Sequence, residues 1–528
     1  MTIVTNSILF MHNQTNGYVF APQYQGTTWP NTGPFGGRSG LIPITQDYVI
    51  QISVTTGGSN YSNPTITVGT PWTASTLEAQ NQQVVYPSGP GGNLYTVVSS
   101  GTSGSTPPTD TSGNPFTDGT ATLKYIGKAA SVVATPNSGV ISINYITLES
   151  GGYGYSTTPS VTITDPTGSG AVLTATLNGF PTGGLVPGVA YLDSYIVVGQ
   201  PDGRLYASNV NDPTSWNALA YVTAYSEPNS LVGISKHLNY VAAFGQWTTS
   251  FFYDAGTAPP VSPLQVASSY TFEIGCANGQ SISQLEQSVI WVGQSKDTGP
   301  AVYMLEGLSP VKVSTADIEK VLTNSKLTNM TAYTFKHNGH TFYVLTLGDL
   351  NVTIVYDIGE KLWYNWTYYA LGTPNSGVIG VYGEQYFRPS YYAGSYGAFS
   401  ASSIGTNYYL LDDDNGTLYT LSDLDYTDSN APIYTRVVTS LIDADTTNRK
   451  FYRQIEAIGD RVPANLKIRH TDDDYKTWSN YRQVNLNQER PIIFQCGQGR
   501  RRAWEILFTD PQPLRLEALE INIESGET

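Results

Sequence analysis

Charged residues are scarce in this sequence. Only 13% of its 528 residues are Asp, Glu, Lys or Arg, about half the usual share. The two cysteines, Cys276 and Cys496, lie outside any Cys-x-x-Cys or Cys/His pattern. The sequence therefore predicts buried free thiols, with no zinc site, redox centre or other cofactor.

Long apolar runs are also missing. The run over residues 8–11 has no basic flank and is too short for the core of a signal peptide, and no segment reaches transmembrane length. We therefore expect no membrane span and a protein that is made in the cytoplasm. Helix-forming stretches are few, and a short helix is expected over residues 314–322.

The motifs of common enzymes do not occur. No G-x-S-x-G, H-E-x-x-H or P-loop is found. His337 and His340 flank an Asn-Gly pair, which favours a solvated hairpin turn over a metal site. Asp412, Asp413 and Asp414 look like part of a calcium loop but lack its spacing and closing Glu, so they indicate a hairpin turn. We expect no enzyme, with no catalytic or metal site.

Strand and turn formers are abundant instead. The 52 Gly and 38 Tyr residues favour an all-β fold. From about residue 185 to 430, an apolar alternating run, a Gly/Asp/Asn turn and a second run recur. Markers of these copies at residues 195, 240, 289, 342 and 408 are 45, 49, 53 and 66 residues apart. This is the blade period of a β-propeller.

A shorter repeat precedes these copies. Residues 49–68 and 140–163 each read as strand, Gly-rich turn, Tyr, Pro and strand. They predict an inserted pair of small β modules, with a flexible Gly/Ser/Pro/Thr stretch over about 87–119. Two roles stay open at this point, a spacer and a surface that binds a partner protein or a glycan.

Four parts of the chain follow from these patterns. Residues 1–47 form an N-terminal segment, residues 48–180 the inserted modules, and residues 181–430 the β-propeller blades. Residues 431–528 form a C-terminal β region that we expect to close the propeller and contact neighbouring subunits.

The charges are unevenly distributed along the chain. Residues 181–430 contain 9 Lys and Arg against 21 Asp and Glu, whereas residues 431–528 contain 14 of each. An acidic body argues against a tight grip on nucleic acid, which needs clustered Lys and Arg. It is compatible with DNA that passes without adhering.

Residues 471–478 resemble the Asp-box of sialidase-type propellers, S-x-D-x-G-x-T-W, with Tyr475 in place of the Gly. That motif is a folded turn away from the active site. Asp473, Thr477 and Trp478 therefore predict architecture rather than catalysis.

A basic run, Arg500, Arg501 and Arg502, precedes a strand pattern at 504–508. It indicates an exposed strand end or an interface, where it would contact a phosphate or a neighbouring subunit.

Short motifs follow one another in order from residue 202 onward. They are DGRLYAS (202–208), DPTSW (212–216), EPNSLVG (227–233), EIGCA (273–277), IEK (318–320), GHTFYVL (339–345), VYD (355–357), LW (362–363), TDDDYKTWS (471–479) and GQGRRR (497–502). Their order and spacing resemble the propeller-fold tail hub, or nozzle, proteins of podoviruses, also called packaged-DNA stabilisation proteins. The resemblance covers about residues 185–528, and the first blade of that family is not recognisable in residues 1–184.

The resemblance implies a structural protein of a bacteriophage virion tail, made in the host bacterial cytoplasm. It implies a homohexameric ring below the portal and adaptor proteins, which retains packaged DNA, conducts it during ejection and supports fibres, spikes or a needle. Double-stranded DNA would pass through the channel without sequence-specific binding, and Asp412, Asp413 and Asp414 would form an acidic turn facing it.

Two other functions are open from the sequence. A carbohydrate-active propeller, such as a sialidase or depolymerase, is suggested by the Asp-box-like turn and the many Tyr and Trp residues. Sialidase chemistry needs an arginine cluster, however, and residues 181–430 contain only Arg204 and Arg388. The other alternative is a receptor-binding tail protein.

Overall fold

A computed structural model of the chain describes residues 2–4, 8–20, 35, 40–141, 145–224, 230–257, 261–285, 287–337, 339–350, 352–366, 409–411, 418–420, 424–428 and 431–526. The chain divides into two compact units, Met1–Thr328 and Asn329–Thr528. Strands dominate both units, which confirms the all-β class. Among the described residues, no helix is long and apolar enough to cross a membrane.

The first unit opens with a sheet that the sequence analysis did not foresee. Its strands, paired in chain order, are β1 (Thr2–Val4), β2 (Ile8–His12), β3 (Gly17–Phe20) and β4 (Ile42–Ile44). The strands have three to five residues, and residues 21–41 separate β3 from β4. Runs this short carry too few alternations to stand out as a pattern.

The strands of the inserted region follow. They are β5 (Val49–Ser59), β6 (Thr65–Val68), β7 (Thr70–Pro71), β8 (Leu77–Glu78), β9 (Gln83–Tyr86), β10 (Asn93–Ser99), β11 (Gly101–Thr102), β12 (Pro115–Asp118), β13 (Ala121–Lys128), β14 (Ser131–Ala134), β15 (Ile146–Ser150), β16 (Val161–Thr164) and β17 (Ser169–Leu177). Strands β12, β13, β10, β9 and β7 form one five-stranded sheet in that order. The other pairs are β5 with β17, β6 with β16, β14 with β15 and β8 with β11.

The expectation of a flexible stretch over residues 87–119 is wrong. This stretch contains β10 and β12, which both pair with β13. Leu94 and Val97 of β10 are fully buried. The Gly, Ser and Pro content of the stretch reflects its turns, whereas a few buried apolar side chains are enough to hold its strands in the sheet.

The two short sequence repeats form one body. Strand β6 of the first repeat pairs antiparallel with β16 of the second, with Val68 opposite Val161. Tyr61 and Tyr155, the tyrosines of the two repeats, are buried in the same hydrophobic core. Among the described residues, the two repeats share one core, because each covers the apolar face of the other.

The inserted region begins and ends at adjacent strands. Val49 of β5 lies opposite Leu177 of β17, and the Asn178 amide donates to the Tyr48 carbonyl at 2.9 Å. Adjacent ends allow a segment to be inserted without moving the flanking chain apart.

Three further sheets complete the first unit. Their strands are β18 (Ala190–Leu192), β19 (Tyr195–Gly199), β20 (Arg204–Asn209) and β21 (Asp212–Thr223), then β22 (Leu231–His237), β23 (Tyr240–Gly245), β24 (Thr249–Asp254) and β25 (Leu264–Phe272), then β26 (Gly275–Cys276), β27 (Ser283–Gln284), β28 (Val289–Gln294), β29 (Ala301–Glu306) and β30 (Ser309–Lys312). A 3-10 helix (Gly279–Ser281) and the helix α1 (Ala316–Asn324) accompany them. The helix lies two residues beyond its predicted span.

Successive sheets of this unit pack face to face. Phe10 of the first sheet contacts Trp216 of β21, with ring centroids 5.9 Å apart. Phe244 of β23 contacts Trp291 of β28 at 5.0 Å. Burying one such side chain stabilises the fold by about 1.5–3 kcal/mol. This packing covers both faces of the β18–β21 sheet and of the β22–β25 sheet, as for the blades of a β-propeller.

The second unit holds the remaining strands. They are β31 (Met330–His337), β32 (His340–Leu347), β33 (Val352–Asp357), β34 (Leu362–Trp366), β35 (Tyr409–Leu411), β36 (Leu418–Thr420), β37 (Thr427–Asp428), β38 (Ala431–Pro432), β39 (Thr435–Val438), β40 (Lys450–Gly459), β41 (Asn465–Thr471), β42 (Arg482–Asn485), β43 (Ile492–Phe494), β44 (Gln498–Gly499), β45 (Ala503–Phe508) and β46 (Leu516–Ser525). Strands β31 to β34 form a four-stranded sheet in chain order.

The predicted blade repeat is confirmed. The sequence markers Tyr195, Tyr240, Val289 and Phe342 lie in β19, β23, β28 and β32. Each of these is an inner strand of its own sheet, next to the first strand in the sheet order. The marker at residue 408 lies outside the described residues.

The C-terminal β region is a two-sheet sandwich. One sheet has the order β39, β45, β41, β42, and in the other β40 pairs with β46, β43 and β44. Trp504 and Ile468 of the first sheet share a core with Tyr452 and Ile455 of the second. The boundaries at residues 47, 180 and 430, and a role of this region in closing the propeller, stay predictions.

Candidate functional site

The Asp-box-like turn follows the end of β41. Asp473 Oδ1 accepts hydrogen bonds from the Thr477 amide and the Thr471 hydroxyl, both at 2.8 Å. Asp473 Oδ2 accepts from the Thr477 hydroxyl at 2.6 Å. These donors, led by the Thr477 hydroxyl, lower the pKa of Asp473 to about 2. The carboxylate thus acts as the centre of a turn.

Tyr475 stands where the Asp-box motif has glycine, and the backbone shows why glycine suits this position. Asp474 and Tyr475 have φ angles of 62° and 65°, in the left-handed region that favours glycine. The Tyr475 hydroxyl donates to the Thr439 carbonyl at 3.1 Å. This contact partly offsets the cost of the unfavourable backbone conformation.

Trp478 lies over a buried ion-pair network. The Arg469 guanidinium lies over the rings of Trp478 and Tyr481, at 4.9 and 4.4 Å from their centroids. Arg469 Nη2 donates to both carboxylate oxygens of Glu505 at 2.9 Å. Arg436 donates to the same carboxylate at 3.0 Å. The turn therefore positions the Trp478 ring over this network, which is a structural role.

Glu505 is fully buried, with 0% of its surface exposed. Burial by itself raises the pKa of this carboxyl, but hydrogen bonds from Arg436, Tyr481 and Arg469 outweigh it and bring the pKa to about 2. The carboxylate is therefore ionised at neutral pH, and its charge is matched by two guanidinium groups.

The three arginines of the basic run differ in their environment. Only 1% of Arg502 is exposed, and its Nε and Nη2 each donate to an oxygen of Asp472 at 2.7 Å. The N–H donors of Arg502 are used within the subunit. The prediction of a subunit or phosphate contact therefore does not hold for Arg502. Arg501 pairs with Asp474 on the exposed surface, and Arg500 is also exposed, where it donates to the Thr447 carbonyl at 3.3 Å.

The other sequence candidates fall into two groups. Asp412, Asp413 and Asp414 lie outside the described residues. His337 and His340 face each other at the end of the β31–β32 hairpin, and His340 Nδ1 lies 2.6 Å from Asp357 Oδ2. Within the described part of the chain, no group of three or more His, Cys, Asp or Glu side chains is arranged to hold a metal ion.

The buried ion pairs were not foreseen. Arg469 lies between Ile468 and His470, and Glu505 between Trp504 and Ile506, in strands whose alternate residues face the sandwich core. A charged residue inside an apolar strand is the signal that indicates such a pair, because a buried charge needs a partner. The sequence does not reveal which two charges meet.

Comparisons with known proteins give a match to a family model over part of the chain. Residues 169–386 match the phage stabilisation family, described as "Bacteriophage P22 Gp10, beta-propeller". The match begins in β17 and includes the stacked sheets of β18 to β30. No curated protein matches the chain.

One solved structure is similar over a large part of the chain. It is the exo-β-1,3-galactanase of Phanerochaete chrysosporium with galactose, at 10% identity, covering 65% of this chain and 98% of that chain, with a TM-score of 0.25. At this TM-score the similarity supports no conclusion about activity. Over residues 169–386, this chain is similar to the phage stabilisation family of the bacteriophage P22 Gp10 β-propeller, and this match supports a phage tail accessory or stabilisation protein.

Proposed function

We propose that the chain is the tail hub, or nozzle, of a short-tailed bacteriophage. Six copies form a ring that continues the DNA channel below the portal and adaptor proteins. The ring retains the packaged genome, conducts it during ejection, and supports fibres, spikes or a needle. The family match to the stacked sheets carries this proposal.

The charge of the blade region supports a passage for DNA. Residues 181–430 have an excess of 12 acidic residues, from 21 Asp and Glu against 9 Lys and Arg. Copies of such a body around a channel create a field that repels phosphates, which lowers adhesion during ejection. The acidic turn at residues 412–414 is proposed to face this channel.

The C-terminal sandwich supports a contact between subunits. Residues 431–528 contain equal numbers of acidic and basic residues, and exposed pairs include Arg453 with Glu524 and Arg490 with Glu456. Mixed surface charges of this kind set the register of a contact more than its strength. Arg500 and Arg501 remain candidates for a subunit or phosphate contact.

Electron microscopy of the purified chain tests the proposal. A ring of six copies with an open axis is expected, and light scattering should give six times the mass of 57.2 kDa. The ring should not retain duplex DNA on a filter at low salt, because its surface is acidic. Monomers at micromolar concentration, or a ring without an axial opening, would contradict the hub.

A second role is proposed for the inserted region, as a docking module for a tail fibre or a host receptor. Its two repeats form one body with adjacent ends, and residues 48–180 contain only 2 Lys and 5 Asp or Glu. A separate, charge-poor body can be added to a ring without altering the contacts of the blades.

A deletion separates this role from the hub. Because the Asn178 amide already contacts the Tyr48 carbonyl, residues 49–177 are replaced with a Gly-Ser-Gly linker. Rings should still assemble, while fibre attachment or adsorption to the host is lost. Unchanged fibre content and adsorption would leave the inserted region as a spacer.

A carbohydrate-active propeller is the alternative, and the structure adds nothing in its favour. Arg204, one of the two arginines in residues 181–430, pairs with Asp202 at 3.5 Å on an exposed hairpin. Release of reducing sugars from host polysaccharide, abolished by a single carboxylate substitution, would establish this alternative.

A further inference from the structure

The C-terminal sandwich is closed along one side and open along the other. In its first sheet β39 and β42 are the edge strands, and in its second sheet β46 lies on one side of β40 and the short β43 and β44 on the other. Strand β42 contacts β43, and Arg482 Nη1 of β42 donates to the Gln495 carbonyl just after β43 at 3.2 Å. That side is closed, so β39 and β46 form the opposite side, which we call the open side.

Strand β39 has an uncovered inner face at the open side. All four of its residues are exposed. Val437 lies opposite Ile506 of β45, and residues opposite each other in a sheet point to the same face. Ile506 belongs to the sandwich core and is 5% exposed, whereas Val437 is 49% exposed. Among the described residues, Val437 is therefore a core-facing side chain that the second sheet does not cover.

Strand β46 is also incompletely covered at the open side. Its core-facing apolar residues are only partly buried, namely Leu519, Ile521 and Ile523. Each of them lies directly opposite a residue of β40 that is between 1% and 3% exposed, namely Ala457, Ile455 and Tyr452. The inner face of the second sheet is thus buried along β40 and half open along β46.

The backbone of β46 has an unpaired edge. The strand is ten residues long, and among the described strands it pairs only with β40. In an antiparallel pair alternate residues turn their N–H and C=O groups away from the partner, so about half of these groups of β46 point to the open side. A row of unpaired backbone groups is a template for a further strand.

The outer row of β46 determines the charge of a suitable partner. The strand contains Glu517, Glu520 and Glu524 and no Lys or Arg. Glu520 lies directly opposite Glu456, which is unfavourable for like charges, and Arg490 Nη2 donates to Glu456 at 2.6 Å. A basic residue on an added strand would reduce this repulsion, whereas an acidic strand, including a second β46, would increase it.

We propose that the open side is a docking site for one extended segment of another protein, which adds as a strand beside β46 and beneath β39. A single strand there makes the second sheet four-stranded, like the first, and covers both Val437 and Ile521. Its residues are alternately apolar towards the sandwich and basic or uncharged on the outside. The segment comes from another protein, because every described strand of this chain is already paired within its own copy. This inference goes beyond the proposed hub and does not depend on it.

A labelled peptide added to the full chain tests the proposal. The probe is acetyl-Lys-Val-Thr-Val-Lys-Val-Thr-Val-Lys-Thr-amide, which is as long as β46. Fluorescence anisotropy should show binding at micromolar concentrations. Hydrogen exchange should show new protection in β46 and none in β42, which is also an edge strand and serves as an internal control.

Two altered peptides identify the interactions that hold the segment. Replacing each Lys with Glu should weaken binding by about tenfold at low salt, because the new charges lie beside Glu520. Replacing two central residues with Pro should abolish binding, because Pro has no N–H to donate to the edge of β46.

Val437→Lys is the corresponding change in the chain. It places a charge where the apolar side of the segment packs, which should weaken peptide binding by about tenfold. Because Val437 is exposed in the free chain, this variant should fold normally. The matched control is Val266→Lys on β25 of the first unit, where the valine is 48% exposed, and it should leave the affinity unchanged.

Four results would overturn the proposal. The first is no peptide binding up to about 1 mM, and the second is equal binding of the Lys, Glu and Pro peptides. The third is a free chain in which all amides of β46 already exchange as slowly as those of β40, which would show that the chain covers this edge itself. The fourth is self-association of the chain that Val437→Lys abolishes, without peptide binding, which would assign the open side to a second copy.

Discussion

The hydroxyls of Tyr61 and Tyr155 make the same contact in the two halves of the inserted region. The Ala171 amide donates to the Tyr61 hydroxyl at 3.0 Å, and the Ala130 amide donates to the Tyr155 hydroxyl at 2.8 Å. Both tyrosines come from the sequence repeats, and the amides belong to the chain at β17 and just before β14. The two repeats thus each place a tyrosine hydroxyl on a backbone amide of a neighbouring segment.

These contacts predict a loss of stability from each of two substitutions. Tyr61→Phe leaves the part-buried Ala171 amide without its acceptor, whereas Tyr155→Phe leaves the buried Ala130 amide without its acceptor and the Val68 carbonyl without the Tyr155 hydroxyl. Each change should lower the free energy of unfolding by about 1–2 kcal/mol, with the larger loss for Tyr155→Phe. Urea unfolding of the full chain measures the loss. Tyr145→Phe is the control, because its hydroxyl meets Asn137 at an exposed site, and it should have little effect. A large effect of only one buried substitution would argue against equivalent roles.

Replacing Tyr475 should improve the Asp-box-like turn. Tyr475→Gly removes the cost of a side chain at a φ of 65°, a gain of about 1 kcal/mol, and loses an exposed hydrogen bond of about 0.5 kcal/mol. A small net stabilisation is expected in thermal unfolding. Tyr475→Phe loses only the hydrogen bond and should be slightly destabilising. A Gly variant that is less stable than the Phe variant would show that the backbone at residue 475 is not strained.

Glu505→Gln should be among the most damaging changes in the C-terminal sandwich. It leaves the guanidinium groups of Arg469 and Arg436 without a charged partner, at a cost of about 3–5 kcal/mol. Chemical unfolding monitored by Trp fluorescence measures it. The matched control is Glu524→Gln, which breaks an exposed pair with Arg453 and should produce no measurable change. Equal effects of the two would show that burial of the network contributes nothing.

The burial of His12 leads us to expect a loss of stability at acidic pH. Burial, the largest cause, lowers its pKa from 6.5 to about 4. Its Nε2 lies 2.7 Å from the Gly188 carbonyl, and its Nδ1 accepts from the Gln14 amide at 3.2 Å. Protonation of Nδ1 would abolish that second bond.

Because the pKa of His12 is depressed in the folded state, its contribution is complete above pH 6.5 and is lost as the pH falls towards 4. The loss should be on the order of 2 kcal/mol. Unfolding of the full chain at pH 7 and pH 4.5 measures it, with hydrogen exchange in β2 to locate it. His12→Asn should reduce this difference, and an unchanged difference would assign the acid sensitivity to other groups.

The propeller blades could be predicted from the sequence because each blade is formed by consecutive strands of one short segment. A strand, a turn and the next strand lie within a few tens of residues, so the alternation around Tyr195 or Phe342 and the spacing between copies report the same structure. Short strands cannot be recognised from alternation and spacing in the sequence. The sheet of β1 to β4 was missed because its strands have few residues and residues 21–41 interrupt it.

The repeats of the inserted region show the opposite limit. The repeats can be recognised in the sequence at residues 49–68 and 140–163. The sequence does not show, however, that the two copies share one core. The second glycine of each Gly-Gly pair explains the pattern afterwards. A Cβ atom on Gly58 would lie 2.5 Å from the Ala171 nitrogen, and one on Gly152 would lie 2.7 Å from the Ala130 nitrogen.

What the sequence determined by itself is the all-β class, the blade period, the resemblance to the phage stabilisation family over residues 169–386 and the acidic balance of the blade region. Each of these depends on composition or on neighbours along the chain. Only the tertiary structure decided which distant charges meet. Arg502 was expected at an exposed strand end or an interface, yet it is buried against Asp472. Partners and burial come from residues far apart in the chain, and no local pattern encodes them.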